Sequence, residues 1–276
     1  MAAALRARLG PMRLATWNVN SLKARLDRVL AWVEAVQPDV LCMQETKLAD
    51  AAIPELDFRA LGYEVAHHGS GQWNGVAIAS RIGIADMQAG LPAADGWTDD
   101  GGRFLAATCG GVRVASIYVP NGRVVGSEFY AAKLEWLDRL NGWLETACDP
   151  SAPMAVCGDY NVAPFDEDVW DPAAVNGGTH VSEPERAAVA RMRDWGLTDV
   201  VRRFHPEPGF FTWWDYRAGN FHKNFGMRID HIYLTESLAA RAVRAERDRD
   251  ARKPSAYPGI PSDHAPLVVD FDGQPR

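Results

Sequence analysis

Ser262–Pro266 reads SDHAP, and an adjacent Asp263 and His264 become chemically informative only in company. The chain supplies it. Four further polar clusters lie on or just after apolar runs: Asn18 and Asn20 in WNVN, Glu45 and Lys47 in QETK, Asp159 and Asn161 in GDYN, and Asp230 in RIDH. Carboxylates and amides at strand ends, with one late imidazole, form the donor set of a hard divalent cation working on a phosphoester.

Each residue type has a specific use. Glu45 directly follows the apolar run Val40–Gln44, and a carboxylate there is costly to desolvate without a cation. It is a candidate metal ligand; the plainer alternative is a capping residue or a salt bridge to Lys47. Asn18 follows the first apolar run and offers a neutral oxygen to Mg²⁺ or a hydrogen bond to a phosphate, where the ordinary alternative is a turn residue. Alternation places Asp159 and Asn161 on one face at a strand end. The carboxylate takes or gives a proton, while the amide donates to a phosphate oxygen as charge grows there. An Asx turn leading to Pro164 is the alternative. A neutral imidazole needs its second nitrogen held by an acceptor. Asp230 and Asp263 both qualify as that acceptor for His264. Adjacent residues on a strand point to opposite faces, so Asp230 is the better orienter and Asp263 is left for the metal or its waters. Tyr118, at the end of another apolar run, offers a phenol to a phosphate oxygen. His231 is read as packed or solvent-facing, and His67, His68, His180, His205 and His222 as surface or loop residues.

The aromatic run Phe210–Arg217 supplies Trp213 or Trp214 as a surface against a base or an open sugar pocket, where stacking is worth ~1–3 kcal/mol per base. Lys23, Arg25, Lys47, Arg81, Arg123 and Arg217 are candidates for phosphate contacts.

These side chains need elements to hold them. Residues 13–18 predict a strand, Ser21 an N-cap, and Leu22, Leu26, Val29, Leu30 and Val33 a helix ending by Pro38. Val40–Gln44, apolar up to Met43, predicts a strand covered on both faces. Further strands are predicted at 63–67, 75–79, 104–109, 112–119, 154–157, 210–214, 228–234 and 267–271. Helices are predicted at 127–144 and 183–195, the second opened by a capping box of Ser182 and Glu185. Strands and helices alternate irregularly, which favours a mixed sheet pair over a doubly wound parallel sheet. Loops are expected at 90–102 and 164–182, and the Arg/Asp-rich run 241–253 as a solvated connector. The polar clusters fall on both sides of each loop, so 12–272 reads as a single domain.

With 276 residues, 47% of them hydrophobic, the chain has material for a large core. No apolar run approaches the ~20 residues that span a bilayer. Residues 1–11 read as a disordered leader with no apolar stretch behind Arg6 and Arg8, and Met12 is a possible start. The four cysteines, Cys42, Cys109, Cys148 and Cys157, lack C-x-x-C spacing and read as free thiols in a reducing cytoplasm. A net charge of −7 opposes phosphate binding over the whole surface. It leaves room for a basic strip around an acidic centre, which is expected here.

In order along the chain stand Thr16–Ser21 (TWNVNS), Gln44–Lys47 (QETK), Tyr118–Gly122 (YVPNG), Gly158–Pro164 (GDYNVAP), Thr212–Arg217 (TWWDYR), Met227–Asp230 (MRID) and Ser262–Pro266 (SDHAP). Through these motifs the chain, over residues 12–272, resembles the exonuclease III family of apurinic/apyrimidinic endonucleases, within the deoxyribonuclease I-like phosphoesterases. The resemblance implies a four-layer α/β sandwich, two mixed β-sheets face to face and flanked by helices, and Mg²⁺ or Mn²⁺ as cofactor. It implies that Glu45 and Asn18 hold the principal ion, and that Asp159, Asn161, Asp263 and His264 line a second position; it leaves the number of ions open. Asp159 would handle the proton, Asn161 and Tyr118 would help hold the phosphate, Asp230 would orient His264, and Trp213 would sit beside an abasic pocket. Asn20, Lys47, Asn121 and Arg217 would contact DNA. The implied partner is duplex DNA with abasic sites or blocked 3′ ends. The implied reaction is cleavage 5′ to the abasic sugar, leaving a 3′-hydroxyl, with 3′-phosphatase, 3′-phosphodiesterase and 3′–5′ exonuclease activity from the same centre. The protein would be monomeric, cytoplasmic and associated with the nucleoid during repair. Two rivals stand beside this: a relative acting on RNA or a small phosphorylated metabolite, and a catalytically silent nucleic-acid-binding module.

Overall fold

The structure, a computed structural model, describes residues 10–92, 96–98 and 101–273. Of the expected leader only residues 10 and 11 lie among them, and part of the expected loop 90–102 lies outside.

The described residues form two six-stranded sheets. One contains β1 (Met12–Asn18), β2 (Val40–Gln44), β3 (Glu64–His68), β4 (Val76–Ser80), β11 (Ala242–Arg247) and β12 (Leu267–Phe271), in the order β11-β12-β1-β2-β4-β3. The other contains β5 (Ala85–Ala89), β6 (Phe104–Cys109), β7 (Val112–Tyr118), β8 (Met154–Asp159), β9 (Leu197–Asp199) and β10 (Asp230–Thr235), in the order β5-β6-β7-β8-β10-β9. Parallel pairs (β1 with β2, β7 with β8) sit among antiparallel ones, so both sheets are mixed.

Strand alternation sorts side chains into layers. Leu14, Cys42 and Ile78 meet Leu105, Cys157 and Ile232 between the sheets. The opposite faces carry Trp17, Leu41 and Met43 under α1 (Leu22–Val36) and α2 (Glu55–Ala60), which contribute Trp32 and Phe58. On the far side Phe104, Val156 and Tyr233 pack under α3 (Glu128–Ala147), through Trp136 and Leu137. Beyond α4 (Pro172–Val175), α5 (Glu183–Trp195) adds Val189 and Met192 to that layer. Four layers result, as expected. Ser21 caps α1 with its hydroxyl, and Ser182 with Glu185 forms the capping box of α5.

Three expectations are corrected. Phe210–Trp214 is not a strand. Its backbone bonds are divided between two partners, Trp213 with Met227 and both Trp214 and Thr212 with the Asp263–Ala265 segment, so no ladder extends along it. The run 241–253 is not a solvated connector, because β11 pairs with β12 and Arg241 and Arg252 are buried. Its guanidinium groups lie over aromatic rings, that of Arg252 at 4.6 Å from the Tyr216 centroid and that of Arg249 at 4.1 Å from the Phe221 centroid. Third, β5, β9, β11 and α2 arise where no element was predicted, and α3 runs on to Ala147. The four thiols are free; Cys42, Cys109 and Cys157 are buried and Cys148 is half-buried.

Candidate active site

The register of the sheets gathers the polar clusters at one edge. Parallel pairing brings the ends of β1 and β2 together, with Asn18 opposite Gln44. It does the same for β7 and β8, with Tyr118 opposite Asp159. β10 runs antiparallel to β8, so its first residue, Asp230, pairs with Asp159. β12 runs antiparallel to β1, so the segment preceding it delivers Asp263 and His264 to the same place. Gly158 makes the approach possible: at φ +150° an added Cβ would fall 2.0 Å from the carbonyl oxygen of Ile117.

Asn18 joins the two sheets. Its Oδ1 accepts from Asn20 N at 2.9 Å, which fixes the amide so that Nδ2 faces the acids. Nδ2 then donates to Glu45 Oε1 and to Asp159 Oδ2, each at 2.9 Å. The nitrogen of Asn18, not its oxygen, is therefore turned to the two carboxylates. Glu45 itself stands at φ +52°, a left-handed exit from β2 that turns its side chain back over the strand ends, where Lys47 reaches Oε2 at 2.9 Å.

His264 is buried, with Nδ1 2.8 Å from Asp230 Oδ2 and Nε2 3.8 Å from Asp159 Oδ2. Asp263 points elsewhere, accepting from Trp213 Nε1 at 3.0 Å and Asn20 Nδ2 at 2.9 Å. Asn161, at φ +50°, donates through Nδ2 to Val119 O at 3.0 Å and accepts from Asn121 Nδ2 at 3.2 Å. Tyr118 lies beside Glu45 and Asp159, with the Arg103 guanidinium 4.7 Å from its ring centroid. Arg103 carried no signal in the sequence, since only the pairing of β6 with β7 brings it there.

Protonation follows from burial and neighbours. Burial pushes Asp159 up to about 7, with His264 pulling it down and Asp230 pushing it up. Burial alone would lower His264, but the charge and hydrogen bond of Asp230 dominate with Asp159 and raise it to about 10. Burial also raises Glu45, yet Lys47 and the Asn18 amide bring it below its usual range. Asp263 likewise ends below the ordinary range, its burial offset by His264 and the Trp213 N–H. Burial, then the charges of Glu45 and Asp159, drive the Tyr118 phenol well above its usual value.

Glu45, Asp159 and His264 each bring one ligand atom within 4.8 Å of the others. A buried Asp159 and a half-buried Glu45 that share one amide donor are better served with a cation than without it, and the donors are those that suit a hard divalent ion.

The remaining candidates lie around this centre or away from it. Trp213 is half-buried beside Val169, Met227 and Ile229, whereas Trp214 is fully buried and unavailable as a docking surface. Lys47 and Asn20 flank Glu45, joined by a 2.7 Å hydrogen bond. Asn121 and Arg217 are exposed, Arg217 with 90% of its side chain accessible. Arg81 leaves this set: β4 is antiparallel to β2, so Arg81 lies at the far end of the sheet, paired with Asp39. Two histidines read as surface or loop residues are also corrected. His67 is enclosed between Thr46 and Asp50 at 2.8 Å each. His180 sets Nδ1 2.6 Å from Asn161 O, and burial, then Lys133, lowers it to about 4. His231 is packed, bonded to Val162 O at 2.8 Å.

Residues 15–264 match the Endonuclease/Exonuclease/phosphatase family. The chain belongs to that family. Exodeoxyribonuclease III of Haemophilus influenzae is 34% identical over 94% of this chain and 100% of its own length. Among solved structures, an AP endonuclease from Archaeoglobus fulgidus superposes with a TM-score of 0.89 at 39% identity, covering 95% of this chain and 99% of that one. A 3′ phosphatase from Neisseria, bound to a product DNA hairpin, gives 0.87 at 36% identity, with coverage of 95% and 99%. This member of the family is therefore similar along nearly its whole length to exodeoxyribonuclease III, and its two sheets with outer helices are the fold of those neighbours.

Proposed function

We propose that this family member is a Mg²⁺- or Mn²⁺-dependent DNA-repair phosphodiesterase that cleaves duplex DNA 5′ to an abasic sugar and clears blocked 3′ ends. One observation carries the reading: Glu45, Asp159 and His264 converge, within 4.8 Å, at the edge where the strands of both sheets end. Glu45, Asp159 and His264 would hold the ion, with Asn18 setting the spacing of the two carboxylates. When bound, the ion supplies Lewis-acid stabilisation of charge on the phosphate and the leaving oxygen.

The chain's own residues supply the rest. Water attacks phosphorus and the bond to the 3′ oxygen breaks, leaving a 3′-hydroxyl and a 5′-deoxyribose phosphate. Asp159, whose carboxyl is raised by burial to about 7 in the metal-free protein, would take or return the proton. His264, oriented through Nδ1 by Asp230, would turn Nε2 to the ion beside Asp159. Tyr118, Asn161 and Asn121 line the adjoining side and hold phosphate oxygens. Trp213, with Met227 and Ile229, forms the apolar wall for a sugar that lacks its base. Asn20, Lys47 and Arg217 would contact the flanking backbone, and a basic strip there would reconcile binding with the acidic total. Among the described residues no helix is long and apolar enough to cross a membrane. The working protein would be a cytoplasmic monomer.

A second reading has its own support. The 3′ phosphatase from Neisseria is almost as similar as the AP endonuclease, 36% against 39%. That favours 3′-end processing with weak incision. One assay weighs both: a duplex carrying one internal tetrahydrofuran site and, in a parallel arm, a 3′-phosphate, with Mg²⁺ or with EDTA. Magnesium-dependent incision at the internal site is expected. Removal of 3′-phosphate alone would select the second reading, and no turnover of either would contradict both.

A further inference from the structure

Lys133 and Glu185 are a buried ion pair, both side chains 0% exposed, that the proposed chemistry does not use. Lys133 projects from α3 and Glu185 from the first turn of α5. The three donors of the ammonium are fully engaged. One meets Glu185 Oε1, one Asn161 O at 2.6 Å, and the third is shared between Asn121 O at 3.3 Å and Thr179 Oγ1 at 3.4 Å. Glu185 Oε1 in turn accepts from Thr179 Oγ1 at 2.9 Å and His180 N at 3.0 Å. The chain after Asn121 is moulded to the lysine: Gly122 has φ +84°, and a Cβ there would fall 2.9 Å from Lys133 Cδ.

Asn121 and Asn161 belong to different loops, and their side chains bond each other at 3.2 Å. Asn161 is held in left-handed backbone, a conformation that needs support from outside the residue. The helices themselves do not need the ion pair, since α3 and α5 already pack through Leu137, Leu140, Val189 and Met192. An apolar pair of similar volume would hold them as well.

We propose that Lys133 is a positioning residue: its ammonium, tethered by Glu185, pins the main chain of Asn121 and Asn161 and so aims both amides at the phosphate. This rests on the proposed reading of the site. A purely structural ion pair would affect stability alone. A positioning pair acts on the transition state, where a misplacement of about 1 Å costs on the order of 10²-fold.

The test compares wild type with Lys133→Met and with Lys133→Met/Glu185→Leu, which removes both charges. Thermal midpoint, kcat and KM on the tetrahydrofuran and 3′-phosphate duplexes, and the side-chain amide NMR signals of Asn121 and Asn161 are read for each. The double variant also loses the capping box of α5 and is expected to melt below wild type but to remain folded at the assay temperature. Its kcat should fall at least about tenfold while KM for duplex stays within about threefold, and the two amide pairs should broaden. Wild-type kcat with unchanged amide signals in the folded double variant would overturn the proposal. If the double variant does not fold, the same two readings on Lys133→Met decide it. A wild type inactive on both duplexes would instead overturn the proposed function, while the NMR comparison still judges Lys133.

Discussion

His264 Nδ1 lies 2.8 Å from Asp230 Oδ2, and this contact joins the entrance of a strand in one sheet to the entrance of a strand in the other. Asp230 is fixed by pairing with Asp159, and its backbone N–H donates to Thr212 Oγ1 at 3.1 Å. Charge on the imidazole depends on that carboxylate. Burial would lower its affinity for a proton; Asp230 with Asp159 reverses the sign and raises it to about 10. A folded-state value above the unfolded one gives stabilisation that is complete below about pH 6.5 and lost as pH rises through the folded value. Asp230→Asn should therefore lower the thermal midpoint of the metal-free protein at pH 6, with the gap narrowing steadily toward pH 10. Turnover should fall roughly 10–100-fold as the ring loses its orienter. Circular dichroism melts across that range check the first part; a gap that stays constant contradicts the assignment.

Asp159 gives the opposite dependence on substitution. Burial raises it to about 7, so the folded protein binds a proton there that the unfolded chain has released. Stability from this group is present below about pH 4 and is lost as pH rises to 7. In metal-free protein Asp159→Asn should leave the midpoint unchanged at pH 4 and raise it at pH 8. The same variant should lose about 10²–10⁴-fold in kcat, the range expected when a general acid–base is removed. A variant that melts lower than wild type at pH 8 would show that Asp159 is not the strained acid described.

Metal binding should appear as a stability change before any turnover is measured. A ligand that binds only the folded state raises its midpoint in proportion to the logarithm of its concentration. Mg²⁺ titrated into wild type is expected to do so, and Glu45→Gln should need at least about tenfold more, a loss of roughly 1.4 kcal/mol. Identical titrations in the two proteins would remove Glu45 from the ligand set.

Trp213 combines an aromatic face with an N–H bonded to Asp263 at 3.0 Å, and two substitutions separate them. Trp213→Ala should weaken kcat/KM on the tetrahydrofuran duplex about tenfold more than on the 3′-phosphate duplex, consistent with ~1–3 kcal/mol per stacked ring. Trp213→Phe should keep most of that preference while freeing Asp263. Equal losses on both substrates for Trp213→Ala would mean the ring does not recognise the baseless sugar.

Much of this arrangement was legible in the sequence because strand ends announce themselves. Val40–Met43 is apolar and Gln44-Glu45 ends the run, so both the buried strand and its charged mouth could be read. The preference for Asp230 over Asp263 as the partner of His264 followed from alternation, and the two aspartates do point to different partners. What could not be read has physical causes. The aromatic run 210–214 has strand composition, but its hydrogen bonds go to two segments distant in sequence. The arginines of 241–253 look solvated until rings such as Tyr216 and Phe221 are brought beneath them. Arg103 and Lys133 reach the site only through long-range pairing and helix packing. The orientation of the Asn18 amide was set by a local bond to Asn20 that competes with the metal role expected of its oxygen.

The central claim is convergence of Glu45, Asp159 and His264 on one divalent cation. Crystals grown with Mn²⁺ and measured at its absorption edge test it directly. The account predicts an anomalous peak within about 2.0–2.6 Å of carboxylate oxygens from both Glu45 and Asp159, lost in Glu45→Gln. A peak bound elsewhere on the protein, with these carboxylates unengaged, would contradict it.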